Sequence, residues 1–128
     1  MSNSPAEYLT SLFGLTGKNA AVIGGTGVLG GAIADCLAAA GAHIFVVGRS
    51  ADAGERRVKE IQSAGGSAEF VAADVTSRQD LQALRDHAEQ KGGVDILVNG
   101  AGVNAATPFL EISDEEWDRI FGINLGSI

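Results

Sequence analysis

The stretch Ile23-Gly24-Gly25-Thr26-Gly27-Val28-Leu29-Gly30 decides the fold, because it joins a short apolar run to a segment with helical periodicity. Gly24 can adopt a backbone conformation that is closed to residues with a β-carbon. Gly27 lets the main chain approach a phosphate group, and Gly30 lets the following helix pack closely on the preceding strand. The stretch is therefore typical of the first strand–turn–helix crossover of a nucleotide-binding sheet.

A diphosphate would lie at the start of that helix, where unpaired main-chain amides and the helix dipole favour negative charge. Such a site needs no basic side chain, which is consistent with a net charge of −7. A mononucleotide phosphate loop is disfavoured because no Gly-Lys-Ser/Thr follows, whereas a merely tight turn stays open as an alternative. The residues predicted to hold the diphosphate are Gly24, Gly25, Thr26, Gly27, Val28, Leu29 and Gly30.

Apolar runs of strand length alternate with segments of helical periodicity along the rest of the chain. Strands are expected over residues 20–23, 44–47, 68–72 and 94–98, and helices over 28–40, 53–64, 77–91 and from 113 onward. The strands are apolar on both faces, which predicts a parallel sheet covered by helices on both sides. Right-handed crossovers then give an α/β fold with a doubly wound parallel sheet of four strands in the order 3-2-1-4.

The first helix after the glycines is predicted to bury one face. Leu29, Ile33, Cys36, Leu37 and Ala40 fall in phase along it, so Cys36 is expected to be a small buried hydrophobe. Because Cys36 is the only cysteine, the chain has neither an internal disulfide nor a multi-cysteine metal site.

The last helix has a clear predicted start. Ser113 fits an N-cap, and Glu116 is expected to reach back to it and complete a capping box. The helix is expected to continue to Ile128 with an apolar stripe that includes Trp117 and Phe121.

Length, charge and composition exclude several classes of protein. The 128 residues suffice for one domain, and the acidic charge disfavours nucleic acid as a partner. Residues 1–15 do not resemble a signal peptide and are interpreted as an N-terminal extension; without a membrane segment, we expect a soluble cytoplasmic protein. His43 and His87 lack metal-ligand spacing, so solvated or capping roles and no metal are expected.

Three further motifs give the chain a specific resemblance. Asp95-Ile96-Leu97-Val98-Asn99-Gly100-Ala101-Gly102 is similar to the Asn-Asn-Ala-Gly motif of short-chain dehydrogenases/reductases, with Gly100 in place of the second Asn. Asp74-Val75 and Ile123-Asn124-Leu125 resemble the family's Asp-Val/Leu pair and its helix-borne Asn. The match covers about residues 15–128 and favours the single-domain branch, although the glycine spacing around Ile23 and Val28 is closer to the extended branch.

The resemblance implies a Rossmann-type fold and specific roles for these residues. Asn99 would fix the end of the fourth strand, and Ala101 and Gly102, beside Gly100, would leave room for the adenosine ribose. Asp74 would accept a hydrogen bond from adenine, and the Val75 main chain would donate to the ring. Asn124 would act in catalysis by holding a water in a proton relay. An ordinary Asn-Gly turn, a helix-entry Asp74 and a surface Asn124 stay open as alternatives.

The choice of cofactor depends on the end of the second strand. An NAD site usually places an acid there, but this chain has Arg49 and Ser50, which suit the 2′-phosphate of NADP. NADP is therefore predicted over NAD. A solvated Arg49 is the alternative, and Asp52 could still reach the ribose.

Two classes of function remain. In the first, residues 16–128 are the truncated NAD(P)-binding half of an oxidoreductase that transfers hydride to or from a carbonyl or alcohol and that forms dimers or tetramers when complete. The family's catalytic Ser and Tyr-x-x-x-Lys have no match, since the only tyrosine, Tyr8, has no lysine four residues on. The chain alone is therefore predicted to be inactive. In the second class, it is a nucleotide-binding or interaction module without turnover.

Overall fold

The computed structural model describes residues 4–128, in which strands and helices alternate along the chain. The strands are β1 (Asn19–Ile23), β2 (His43–Gly48), β3 (Ser67–Ala72) and β4 (Ile96–Asn99). The α-helices are α1 (Pro5–Phe13), α2 (Val28–Ala39), α3 (Ala51–Ser63), α4 (Arg78–Glu89) and α5 (Asp114–Asn124), with a short 3₁₀ helix at Phe109–Glu111. All strand pairs are parallel, in the order β3-β2-β1-β4, which confirms the predicted topology.

The core lies on both faces of the central strand β2. Ile44 and Val46 pack on one face with residues of α2 and α3, and Phe45 and Val47 pack on the other with residues of α4. These four side chains are fully buried, and burial of each stabilises the fold by about 1.5–3 kcal/mol. Helices therefore cover the sheet on both sides, as expected for a doubly wound fold.

The two outer strands are only half covered. β4 exposes alternate positions, with Leu97 59% exposed, and β3 is exposed at Ser67 and Ala72 and mostly half-buried between them, because these strands form the edges of the sheet. A groove of about 340 Å³ lies between α4 and β4 and is bordered by Leu81, Leu84 and Leu97. The expected burial of the strands on both faces is thus complete for the two central strands only.

The predicted buried face of α2 is correct only in part, because Leu37 is half-buried and packs against the core but two other residues of that face are exposed. Leu29 is 75% exposed and Cys36 is exposed, whereas the small residues Gly30, Ala34 and Ala38 are buried. The helix is apolar almost all round, so its periodicity does not select a face. The close approach of α2 to the sheet admits only small side chains, and that constraint sets the face.

The start of α5 is confirmed only in part. The Ser113 hydroxyl accepts a hydrogen bond from the Glu116 amide at 3.2 Å, as expected for an N-cap. The Glu116 carboxylate does not return to Ser113; it accepts from the Thr107 hydroxyl at 2.9 Å and ties the preceding loop to the helix. The helix ends at Asn124 and does not continue to Ile128.

The N-terminal segment contains a helix that the sequence interpretation did not anticipate. Ser4 caps α1, and the Glu7 carboxylate accepts a hydrogen bond from the Ser4 amide, so that a complete capping box forms. No residue of α1 is buried. Residues 1–3 of the expected extension lie outside the described residues. No helix in the described part of the chain has the length and apolar character needed to cross a membrane.

The two histidines have partners, which corrects the expectation of merely solvated or capping roles. Glu69 of β3 accepts hydrogen bonds from His43 Nε2 at 3.1 Å and from His87 Nε2 at 3.0 Å. Burial opposes ionisation of Glu69, but these bonds and the nearby Lys91 outweigh it and hold the pKa of the carboxyl below its usual value. The cluster of Glu69, His43 and His87 therefore fastens α4 to the outer part of the sheet.

Replacing Glu69 with Gln should lower the free energy of unfolding by about 1 kcal/mol at pH 7, because a neutral amide accepts these bonds more weakly. A carboxyl group whose pKa is depressed in the folded state stabilises that state at pH values above its unfolded pKa. This stabilisation is lost as pH falls through the folded pKa. The difference in free energy of unfolding between the native chain and Glu69→Gln should therefore disappear as pH falls below the usual pKa of 4.5. Urea unfolding of both proteins at several pH values measures this difference.

Glu55→Gln is the matched control, because within residues 4–128 this exposed side chain has no hydrogen bond or ion pair. Two outcomes would contradict the role assigned to Glu69. One is a difference in free energy of unfolding between the native chain and Glu69→Gln that stays constant with pH, and the other is equal stability of Glu69→Gln and Glu55→Gln.

Candidate active site

The carboxyl ends of all four strands border one cavity of about 230 Å³. It lies where the strand order reverses between β1 and β4, the position at which open α/β sheets bind ligands. The lining residues are Gly24, Thr26, Gly27, Gly48, Arg49, Ala73, Asp74, Val75, Gly100, Ala101, Gly102, Val103 and Ile123.

A main-chain crossing at Gly24 forms the floor of this cavity. Gly24 has φ +77°, a conformation that side chains rarely adopt. A β-carbon on Gly24 would lie 2.6 Å from the carbonyl oxygen of Gly100, and one on Gly30 would overlap the carbonyl of Gly24. Strand β1, the loop after β4 and helix α2 can meet here only because both glycines lack side chains.

Helix α2 presents unpaired amides beside the cavity. Its N-cap, Gly27, offers no side-chain cap, and its own amide donates to the Gly24 carbonyl at 3.0 Å. Within residues 4–128, the amides of Thr26, Val28, Leu29 and Gly30 have no hydrogen-bond acceptor. These N–H groups and the helix dipole make the start of α2 attractive to an anion.

Arg49 and Ser50 differ in their placement at the end of β2. Arg49 is exposed and lines the cavity. Ser50 does not line it; its hydroxyl caps α3 by accepting from the Ala53 amide at 3.4 Å. The sequence interpretation did not identify Gly48 as a site residue. Its lack of a side chain lets the Thr26 side chain approach, since a β-carbon on Gly48 would lie 2.7 Å from Thr26 Oγ1.

Asp74 and Val75 lie on the wall of the cavity after β3. One carboxylate oxygen of Asp74 accepts from the Thr76 amide at 2.8 Å and from the Thr76 hydroxyl at 2.6 Å. The bonds from Thr76, with help from the charge of Arg49, hold the pKa of Asp74 below its usual range. The other oxygen of Asp74 and the Val75 amide have no partner among the described residues.

The loop after β4 turns into the cavity at Gly100. The Gly100 amide donates to the Ile23 carbonyl at 3.0 Å and so fixes this loop against β1. The Asn99 side chain borders the groove between α4 and β4, and it forms no hydrogen bond within the described chain. Main-chain contacts therefore fix the end of β4 here.

Asn124 holds the far side of the loop. Its Oδ1 accepts from the Val103 amide at 2.8 Å, and its Nδ2 donates to the Val103 carbonyl at 2.9 Å. Both ends of the amide are thus paired with one residue, which joins α5 to the mouth of the cavity.

The structure brings nine of the predicted cofactor residues to the cavity. Gly25 and Gly30 are buried beneath it, and the side chains of Val28 and Leu29 point to solvent. Gly48, Ala73, Val103 and Ile123 also line it but were not anticipated. The strand ends could have indicated Gly48 and Ala73. Within residues 4–128, no three His, Cys, Asp or Glu side chains are grouped to hold a metal ion.

Comparison with known proteins agrees with this geometry. The model of the short chain dehydrogenase family matches residues 18–128, so the chain belongs to that family. The uncharacterized oxidoreductase UxuB of Bacillus subtilis is 44% identical over 103 residues, which are 80% of this chain and 37% of that protein. The 3beta-hydroxysteroid dehydrogenase 1 of Eggerthella lenta is 40% identical over 116 residues, which are 89% of this chain and 44% of that protein.

Among solved structures, a 3-oxoacyl (acyl-carrier-protein) reductase from Agrobacterium tumefaciens with NADP bound superimposes with a TM-score of 0.86 at 30% identity. The alignment covers 98% of this chain and 49% of that one. The chain spans less than half the length of the curated relatives named here.

Replacing Gly24 with Ala should lower the free energy of unfolding by about 2–4 kcal/mol, because it adds a steric overlap with Gly100 to an unfavourable φ. Gly17→Ala is the control: Gly17 has φ +79°, but a β-carbon there would meet nothing within 4 Å. This control should cost only about 1 kcal/mol. Urea unfolding compares the two, and equal losses would show that the crossing is not constrained.

Proposed function

We propose that the chain binds a nicotinamide dinucleotide in this cavity, as the cofactor-binding half of an oxidoreductase that transfers hydride to or from a carbonyl or alcohol. The observation that carries the proposal is the set of unpaired amides at the start of α2. These amides lie beside a cavity with few side chains. A diphosphate at that place would accept these N–H bonds without a basic residue. Residues 16–128 would form the binding domain.

The residues along the cavity fit the parts of such a cofactor. Gly24 and Gly27 leave the space above α2 free of β-carbons, which suits a diphosphate. The free oxygen of Asp74 and the free amide of Val75 form an acceptor and donor pair of the kind that matches the edge of adenine. Ala101 and Gly102 keep the opposite wall small enough for a ribose.

We propose NADP as the preferred cofactor. Arg49 lines the cavity, and no acid occupies the end of β2. The NADP bound to the 3-oxoacyl reductase, which has a similar fold, supports the same preference. Ser50 could donate its hydroxyl proton to the 2′-phosphate while its oxygen caps α3. When bound, the cofactor supplies or accepts a hydride at its nicotinamide ring.

Arg49→Ala should weaken NADP⁺ binding roughly tenfold and NAD⁺ binding by less than about twofold, since only NADP⁺ has the 2′-phosphate. Isothermal titration calorimetry on the 128-residue chain measures both affinities. Arg85→Ala is the control, because Arg85 is exposed and paired with Asp86 and does not line the cavity. Equal losses for the two cofactors would remove the assignment to NADP, and no binding of either would remove the proposed function.

Asn124 is the one residue of the family's catalytic set that matches this chain. We propose that it acts in the complete site by holding Val103, and hence the cavity mouth, in a fixed position relative to α5. Tyr8 does not replace the catalytic tyrosine, because it lies on α1 and is 58% exposed.

The 128-residue chain should therefore bind NADP⁺ and yet show no carbonyl reduction, because it contains no Tyr-x-x-x-Lys pair to move a proton to the substrate oxygen. NADPH consumption with 3-oxoacyl thioesters and keto sugar acids, and NADP⁺ reduction with polyols, both followed by the absorbance of NADPH, test this. A complete family reductase assayed in parallel shows that the substrates are competent. Turnover by the purified chain above the rate without protein would contradict the prediction.

We propose that the complete protein is a cytoplasmic homo-oligomer and that α5 contributes to its contact surface. Trp117 and Phe121 stack with ring centroids 4.4 Å apart and are about half exposed. Exposed aromatic pairs of this kind are common in contact surfaces. The alternative function, an interaction module without turnover, draws its support from the same pair and from the open groove beside β4.

A further inference from the structure

A second cavity adjoins the candidate active site. It has a volume of about 380 Å³ and lies between the ends of β2 and β3 and helix α5. It shares Arg49, Asp74 and Ile123 with the first cavity, so a ligand that passes the carboxyl ends of these strands can extend into it. Asp118 and Arg119 of α5 form its outer wall.

Two arginines without carboxylate partners face this second cavity. Arg57 and Arg85 form ion pairs, whereas within residues 4–128 neither Arg49 nor Arg119 has a carboxylate within 4 Å. Asp74 and Asp118 also line this cavity and balance the two guanidinium groups, so the cavity is formally neutral in a chain with net charge −7. Guanidinium groups bind phosphate with paired hydrogen bonds.

The carboxylates on the same cavity limit where an anion can lie. Asp74 accepts two hydrogen bonds from Thr76 and leaves one oxygen free, which would repel a phosphate but would accept from a neutral donor. Asp118 lies on the rim, on the same helix as Arg119. The cavity thus suits a ligand with a phosphate near the arginines and an uncharged amino group near Asp74.

We infer that Arg119 is a second determinant of cofactor choice, which binds the 2′-phosphate of NADP from α5 together with Arg49 from the end of β2. The inference rests on the proposed function and extends it. The adenosine end of the cofactor would then lie between the sheet and α5, with its phosphate held from both sides.

Adenosine 2′,5′-bisphosphate and 5′-AMP isolate this end of the cofactor, because they differ only in the 2′-phosphate. Calorimetric titration of both into the native chain should give tighter binding of the bisphosphate. Arg119→Ala should weaken binding of the bisphosphate roughly tenfold and leave 5′-AMP within about twofold. Arg119→Lys, which keeps the charge and loses the paired geometry, should fall between the two.

Arg56→Ala is the matched control, since Arg56 is exposed, has no ion pair within residues 4–128 and lines neither cavity. It should change neither affinity. If Arg119→Ala behaves like Arg56→Ala while the native chain still prefers the bisphosphate, the inference about Arg119 is overturned and the NADP proposal stands. Equal or undetectable binding of both nucleotides by the native chain overturns the NADP proposal and this inference together.

Discussion

The architecture depends on a contact between main chains at Gly24. The carbonyl of Gly24 accepts a hydrogen bond from the Gly27 amide and lies where a β-carbon of Gly30 would be. The α-carbon of Gly24 faces the carbonyl of Gly100. Three elements of the fold thus approach one peptide unit closely. Without that approach, α2 could not direct its first amides toward the strand ends, and the loop after β4 could not close the opposite wall.

The small residues of α2 follow from the same constraint. A helix held this close to the sheet buries glycine and alanine, and its larger residues Val28 and Leu29 turn outward. The core obtains its volume from β2 and from the opposite helices. The site therefore requires small side chains, whereas the core requires large ones. The glycine-rich crossover meets the requirement of the site within eight residues.

The sequence was sufficient to predict features that depend on local pattern. The positive φ of Gly24, the order of the strands and the N-cap at Ser113 follow from residue type and spacing. Features that depend on which side chains meet across the fold were missed. Glu69 lies between two histidines from other elements, and Glu116 finds Thr107 instead of its own N-cap. Nothing in the local sequence distinguishes these partners from solvent.

The position of positive charge has a consequence for how the diphosphate and the adenosine 2′-phosphate of a bound dinucleotide would respond to salt. Amides fixed by the backbone act on a diphosphate at short range, where mobile ions hardly intervene. An exposed guanidinium such as that of Arg49 acts through solvent, where counter-ions compete. Rising ionic strength would therefore loosen the hold on the adenosine phosphate first, and discrimination between the two dinucleotides would fade before affinity for either is lost.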